Sequence, residues 1–386
     1  MKRNRYISLL REALKASPVV ALLGPRQSGK TTLAREFSKQ QKRWKAVYHF
    51  DLESPRDSAR LSDPLLALEN LKGLIVIDEI QHNPEIFPVL RVLADQRKRD
   101  TRFLILGSAS SELINRSSES LAGRIYFVEL TPLLAEEVPS DSWQTLWQRG
   151  GFPPSFLAAS DQESYRWRSD FVRTFLERDI PQFGIKIPAS ALGRFWQMLT
   201  HVHGNILDYS ELGRSLSVSD TTVRRYLDVL TDTYMVRVLK PWHENISKRQ
   251  VKSPKVYIRD SGILHQLLGI RDQTSLEGHP KVGASWEGFC LEQIIAKYKP
   301  GRDEYFFWST HQGAELDLMI KIGDKKIGFE IKRTSAPKLT KGLKIAMHDL
   351  KLKKLYYIVP GQHSFDLTSN VHVSGLDKLL SSERIL

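Results

Sequence analysis

The sequence contains a single cysteine, Cys290, among 386 residues. One thiol cannot form an internal disulfide or build a cysteine-ligated metal cluster, so a reducing cytoplasmic location is expected. No segment approaches the roughly 18 consecutive apolar residues that a membrane span requires. The sequence therefore predicts a protein without a membrane partner.

Internal repeats and low-complexity segments are also missing, and a content of 41% hydrophobic and 26% charged residues is typical of a globular protein. The basic N-terminus, residues 1–17, has amphipathic spacing and lacks a small-residue cleavage site. It is predicted to form a first helix and not a signal peptide. The length predicts two or three domains.

Acidic residues are outnumbered, because 57 Lys and Arg stand against 44 Asp and Glu, which gives a net charge of +13. Residues 1–240 carry a net +6, whereas the shorter segment 241–386 carries +7. The basic excess is therefore denser toward the C-terminus. Such a chain is attracted to polyanions: nucleic acid, acidic lipid or nucleotides.

Apolar runs alternate with helical segments over the first 138 residues, which predicts a parallel sheet covered on both faces. The first run, residues 19–24, leads into a GxxxxGK[ST] motif and then a helix. In this context the motif predicts a phosphate-binding loop for ATP, in which Lys30 reaches the β- and γ-phosphates and Thr31 ligates Mg²⁺. The candidate binding residues are Gly24, Pro25, Arg26, Gln27, Ser28, Gly29, Lys30, Thr31 and Thr32.

Two later apolar runs end in polar residues suited to hydrolysis. Asp78 and Glu79 follow LIVI, and they are predicted to hold Mg²⁺ and to polarise the attacking water, respectively. Ser108 ends the next run and is predicted to sense the γ-phosphate or the water. A serine that merely closes its strand is the alternative.

The segments GPRQSGKTTL, LIVIDEIQ, LILGSAS and LAGR resemble prokaryotic AAA-superfamily ATPases of the ASCE type. FLERDI (175–180) and FEIKR (329–333) fit the subgroup whose C-terminal half is a domain of unknown function. The resemblance implies ATP hydrolysis in a homo-oligomeric ring, predicted to be six-fold, with an arginine of one subunit completing the next subunit's site. Arg124 is the first candidate, with Arg116 and Arg178 as rivals, and an ordinary surface arginine is an equal alternative.

Residues 205–239 have the pattern of a winged helix-turn-helix. Ser219 is predicted to cap the second helix, in which Val223, Tyr226, Leu227 and Leu230 form one buried stripe. The outward residues then suit DNA contact, as hydroxyls and arginines do in recognition helices: Thr221, Thr222, Arg224 and Arg225. A winged helix used for protein contacts is the alternative.

Two alternating segments in the C-terminal part bring acids and a lysine onto one predicted polar face. In 315–322 we expect Leu316, Leu318, Ile320 and Ile322 on one side and Asp317 on the other, and in 325–333 Glu330 and Lys332 share a face. With Glu287 from the preceding helix, this arrangement resembles the PD-(D/E)XK restriction-endonuclease-like fold. The resemblance implies that Asp317 and Glu330 bind a divalent metal, although Leu316 stands where that family's proline would be. A solvated strand face, or a fold that grips DNA without cutting it, are the alternatives.

The predicted fold class is α/β: an AAA-type P-loop domain (1–138), a helical linker or lid (139–184), a winged helix-turn-helix (185–242) and a nuclease-like domain (243–386). The predicted function is a Mg²⁺-dependent ATPase that moves along or remodels duplex or branched DNA. An ATP-controlled DNA endonuclease and an ATP-driven signalling switch without DNA are the alternatives.

Overall fold

The computed structural model describes residues 2–96, 100–108, 119–244, 246, 249–301 and 303–382. These residues form two compact units. The first runs to Pro132 and includes residues 232–234, and the second contains residues 133–231 and 235–386.

The first unit is built on a five-stranded sheet in the order β2-β3-β4-β1-β5. Its strands are β1 (Val19–Gly24), β2 (Val47–Asp51), β3 (Gly73–Asp78), β4 (Thr101–Ser108) and β5 (Ile125–Glu129). Every pairing is parallel, as the sequence predicted. All residues of β1 and β3 are buried, which is why their sequences are continuously apolar.

Helices cover both faces of this sheet: α1 (Asn4–Ala16), α2 (Lys30–Gln40), α3 (Pro55–Arg60), α4 (Pro64–Leu68) and α5 (Ile86–Ala94). Val20 and Leu22 pack with the apolar side of α1 and α2, whereas Val19, Ala21 and Leu23 pack with that of α5. The helix predicted over 86–99 ends at Ala94, and part of the remainder lies outside the described residues. A 3₁₀ turn, Ile80–His82, follows β3.

The second unit begins with helices. They are α6 (Trp143–Arg149), α7 (Pro153–Phe156), α8 (Asp161–Thr174), a π-helical turn (Phe175–Asp179), α9 (Ile180–Gln182), α10 (Ala189–His201), α11 (Tyr209–Leu216) and α12 (Asp220–Asp232). The strands β6 (Val236–Leu239) and β7 (Lys255–Ile258) then pair antiparallel. Val223, Leu227 and Leu230 of α12 are buried in a core shared with α10, and Tyr226 packs against it, as the spacing predicted.

The rest of the second unit is a mixed six-stranded sheet in the order β12-β13-β11-β10-β9-β8. Its strands are β8 (Tyr305–Ser309), β9 (Glu315–Ile322), β10 (Lys325–Ile331), β11 (Lys354–Val359), β12 (Ser364–Thr368) and β13 (Val371–Gly375). The accompanying helices are α13 (Ser261–Leu267), α14 (Gln273–Glu277), α15 (Val282–Tyr298), α16 (Lys341–Leu350) and α17 (Leu376–Ser381).

Strand β9 departs from the alternation predicted for it. Leu318 and Ile320 pack in one hydrophobic core and Leu316 in another, because the register with β8 shifts between Phe306 and Trp308. The shift places Asp317 and Leu318 of β9 opposite the single residue Phe307 of β8, and it resets which side chains share a face. Ile322, predicted to share a side with Leu316, Leu318 and Ile320, is 38% exposed at the strand end.

Among the described helices, none combines the length and the apolar character needed to cross a membrane.

Candidate functional site

The phosphate-binding loop lies where the sequence predicted it, between β1 and α2. Gln27 and Gly29 both have left-handed backbone conformations, with φ of 61° and 93°. Within the described residues nothing lies within 4 Å of the position that a Cβ would take at Gly29. The loop therefore leaves open space beside the N-terminus of α2, where backbone N–H groups and the helix dipole favour phosphate.

Arg3 stabilises the phosphate-binding loop through hydrogen bonds, a role that the sequence did not predict. The buried guanidinium donates to the carbonyl oxygen of Ser28 at 3.2 Å and to those of Thr131 and Pro132 at 3.0 and 3.2 Å. The Ser28 hydroxyl in turn donates to the carbonyl of Pro25 at 2.8 Å. Arg3, near the start of the first unit, thus links the loop to Thr131 and Pro132, near the end of that unit.

Lys30, Thr31 and Asp78 surround the position expected for the metal and the outer phosphates. The Lys30 ammonium donates to the carbonyls of Gly24 and Pro25 at 3.0 and 2.8 Å. The Thr31 hydroxyl donates to Asp78 Oδ2 at 2.6 Å, at one wall of a cleft of about 160 Å³ that Asp51 and Asp57 also line. A hydroxyl beside a carboxylate is the oxygen donor set that Mg²⁺ takes, so these residues fit the ion.

Asp78 is held by its neighbours at the end of β3. The backbone N–H of Glu79 donates to Asp78 Oδ1 at 3.0 Å. Burial raises the pKa of Asp78, and the hydrogen bond from Thr31 opposes that shift. A bound cation would favour the ionised carboxylate further.

Glu79 and Ser108 end adjacent strands at the same sheet edge. Glu79 has a left-handed backbone, with φ of 53°, and its carboxylate accepts a hydrogen bond from the Gln81 amide. Ser108 is opposite Gly24 in the β1–β4 register, and its buried hydroxyl has no hydrogen-bond partner within the part of the chain that is described. The structure thus brings Lys30, Thr31, Asp78, Glu79 and Ser108 to one edge.

The outer rim of the site is polar. Arg26 pairs with Glu53 at 2.7 Å, His82 Nε2 lies 3.9 Å from the same carboxylate, and Thr32 is exposed on α2. One ligand atom each of Glu53, Glu79 and His82 lies within 4.8 Å of the others. Neither Glu53 nor His82 belongs to a motif, so the sequence offered no signal for them.

The candidate trans-acting arginines differ in their surroundings. Arg124 forms a two-pronged ion pair with Asp95, with N–O distances of 2.5 and 3.0 Å. Arg178 lies in the π-helical turn, 58% exposed and 3.9 Å from Asp179. Arg116 lies outside the described residues. Their roles stay predictions.

The second helix of the helix–turn–helix presents its polar side to solvent. Arg224 and Arg225 are exposed, and the Arg224 guanidinium stacks 3.8 Å from the centre of the Tyr209 ring. Thr221 is exposed and Thr222 half-buried at the first turn, where the Ser219 hydroxyl accepts the Thr222 N–H at 3.2 Å. The cap at Ser219 agrees with the prediction.

In the second unit, the predicted acids and lysine come together at the ends of β9 and β10. Lys332 Nζ lies 3.4 Å from Asp317 Oδ2 and 3.1 Å from Glu330 Oε1. Asp317 Oδ2 also accepts the Ile331 N–H at 2.9 Å, and Asp317 and Glu330 are both buried. Glu287, on α15, accepts the Tyr257 hydroxyl at 2.6 Å.

The sequence did not predict Lys255, which lies among these acids. Its Nζ is 2.5 Å from Glu315, 3.5 Å from Glu287 and 3.7 Å from Asp317. Burial and the charge of Asp317 raise the pKa of Glu287 to about 7 and that of Glu330 to about 8. The cluster thus contains four carboxyl groups and two lysines in a largely buried setting.

Comparison with known proteins places these features in a family. Residues 16–138 match an AAA domain, and residues 140–274 and 282–379 match two domains of unknown function, DUF8612 and DUF4143. Two proteins, "Uncharacterized protein Rv2008c" of Mycobacterium tuberculosis and "Uncharacterized protein Mb2031c" of Mycobacterium bovis, are each 50% identical over 99% of this chain and 85% of their own length.

Among solved structures, the Walker-type ATPase PABY2304 of Pyrococcus abyssi is 14% identical, with a TM-score of 0.43, over 69% of this chain and 95% of its own. The STAND protein PH0952 of Pyrococcus horikoshii is 13% identical, with a TM-score of 0.29, over 78% and 45%. The AAA match covers the whole phosphate-binding loop, Asp78 at the end of β3 and Glu79 directly after it. The chain therefore belongs to the family of the two mycobacterial proteins, and its residues 16–138 are a P-loop ATPase domain of the AAA type with an α/β fold.

Proposed function

We propose that this ATPase is Mg²⁺-dependent and acts on DNA as a homo-oligomeric ring. The observation that carries the DNA part is the exposed pair Arg224 and Arg225 on the second helix of the helix–turn–helix, which we interpret as a winged-helix recognition element. The net charge of +13 supports the same interpretation.

The chain's own residues account for hydrolysis in simple terms. The Glu79 carboxylate accepts a proton from the attacking water, Lys30 binds the outer phosphates, and Ser108 orients the water or the γ-phosphate. Thr31 and Asp78 would hold Mg²⁺, which neutralises phosphate charge when bound. To enter a neighbouring subunit's site, Arg124 must release Asp95, so ring assembly would exchange one ion pair for another.

Salt-dependent DNA retention tests the DNA part. Arg224→Ala with Arg225→Ala should weaken binding to unrelated sequences alike and reduce the salt slope by about two, roughly one for each lost phosphate contact. The matched control removes Arg166 and Arg173 of α8, which are also exposed, and it should leave the slope unchanged. If both variants bind DNA like the original chain, the helix–turn–helix does not contact DNA. That result would favour a role in protein contacts and the alternative of a signalling switch without DNA.

A second candidate, an ATP-controlled endonuclease, is favoured by the meeting of Asp317, Glu330 and Lys332. In nucleases of the PD-(D/E)XK type such acids hold a divalent metal that activates water. Nicking of supercoiled DNA in Mn²⁺ or Mg²⁺, absent in Glu330→Ala, would establish it. If the protein retains the DNA but leaves it uncut, the result supports DNA binding without cleavage.

A further inference from the structure

Lys255 occupies the point toward which the acids of the C-terminal cluster converge. Its side chain is only 3% exposed, and three carboxylates lie within 3.7 Å of its ammonium: Glu287, Glu315 and Asp317. The lysine comes from β7, the second strand of the hairpin that follows the helix–turn–helix. It thus enters the cluster from outside the sheet that carries Asp317 and Glu330.

Both carboxylate oxygens of Asp317 and one of Glu287 already have partners. Asp317 Oδ2 accepts the Ile331 N–H and lies 3.4 Å from Lys332, while Oδ1 faces Lys255. Glu287 Oε1 accepts the Tyr257 hydroxyl and faces Lys255 as well. Mg²⁺ requires near-octahedral oxygen ligands at about 2.0–2.1 Å, and an ammonium at this point is incompatible with that arrangement.

The charges of the cluster also argue against a bound metal ion. Buried carboxylates are costly unless paired, and Lys255 and Lys332 supply two positive charges to four acids. Burial alone would lower the pKa of Lys255, but Tyr257 and the surrounding carboxylates raise it well above its ordinary value. The raised pKa favours the protonated, positively charged lysine. Among the carboxylate oxygens of this cluster, Glu330 Oε2 is the one that is buried and has no hydrogen-bond partner within the described residues.

We infer that the Lys255 ammonium takes the place of a divalent cation, so that the cluster is a metal-free ion-pair network that fastens the β6–β7 hairpin to the C-terminal sheet. The residues do not fit a metal nuclease centre, so this inference argues against the endonuclease candidate. One consequence rests on the proposed function: the nuclease-like domain, residues 243–386, binds DNA and does not cleave it. The absence of a metal site follows from the cluster alone and does not depend on DNA.

Mn²⁺ binding to the nucleotide-free full chain, counted by electron paramagnetic resonance, tests the inference. The original chain and Glu330→Gln should bind the same number of ions. Lys255→Met, similar in length but neutral, should gain one bound ion, and Lys255→Met with Glu330→Gln should lose that gain. Lys255→Arg keeps the charge and should gain none.

An extra ion in the original chain that Glu330→Gln lacks would overturn the inference, and so would a folded Lys255→Met that gains none. If Lys255→Met fails to fold, the comparison of the original chain with Glu330→Gln still decides. The number of bound Mn²⁺ ions is measured without DNA, so it can contradict this inference without contradicting the proposed function. The variant with Arg224 and Arg225 replaced tests the proposed function separately.

Discussion

Glu79 is the residue on which turnover is expected to depend most directly. Glu79→Gln should bind ATP normally and lose hydrolysis, since the amide cannot accept the water's proton while Lys30 and the loop are intact. Lys30→Ala should lose ATP binding. Phosphate release and fluorescent-nucleotide binding measure the two properties.

The exposed Glu85 provides the matched control, because Glu85→Gln removes the same charge a short distance along the chain. It should hydrolyse ATP like the original. Undiminished turnover by Glu79→Gln would show that another group activates the water.

Glu330 should make stability pH-dependent. Its pKa is raised from an ordinary 4.5 to about 8 by burial and by the charges of Asp317 and Glu287, while Lys332 opposes the shift. Between these values the folded chain keeps a proton that the unfolded chain has released, so the free energy of unfolding falls as pH rises through this window. Glu330→Gln should flatten that fall.

Urea unfolding from about pH 5 to about pH 8 measures the effect. The exposed Glu177 is the control, and Glu177→Gln should follow the original curve. An identical slope for Glu330→Gln would mean that the carboxyl group is ionised throughout.

At the scale of elements, the turn between α11 and α12 makes a separate prediction. The Ser219 hydroxyl accepts the Thr222 N–H at the start of α12, so Ser219→Ala should lower the free energy of unfolding by about 1 kcal/mol. Chemical denaturation measures this. Ser215→Ala, at an exposed position in α11, should cost much less, and equal losses for the two would argue against the cap.

The parallel sheet and the loop–helix junction could be predicted because their determinants are local: continuous apolar strands, a glycine-rich turn and acids at strand ends. The grouping of Asp317, Glu330 and Lys332 could be anticipated from alternation, although the register shift in β9 changes which leucines share a face. Lys255 and Arg3 could not be found, since each acts through contacts distant in sequence and carries no motif. Tertiary packing alone brings them to their sites.

For the whole molecule, we expect ATP-dependent assembly. Glu79→Gln with ATP should sediment as a ring, predicted to be six-fold, because trapped nucleotide favours the subunit contacts that an arginine completes. Mixing Arg124→Ala with Glu79→Gln chains should restore part of the activity at interfaces where an intact site meets an intact arginine. A species that remains monomeric with ATP and has a concentration-independent specific rate would contradict this.

The Lys255 cluster also bears on how this chain evolves. The two C-terminal family matches, 140–274 and 282–379, appear as separate modules, yet Lys255 and Tyr257 belong to the first and Glu287, Glu315 and Asp317 to the second. Exchanging the first module would leave the acids with Lys332 as their one remaining lysine in the cluster, and exchanging the second would leave Lys255 buried without its acids. Descendants should therefore inherit the pair together, and a lineage that replaces Lys255 should show a compensating change among the three acids.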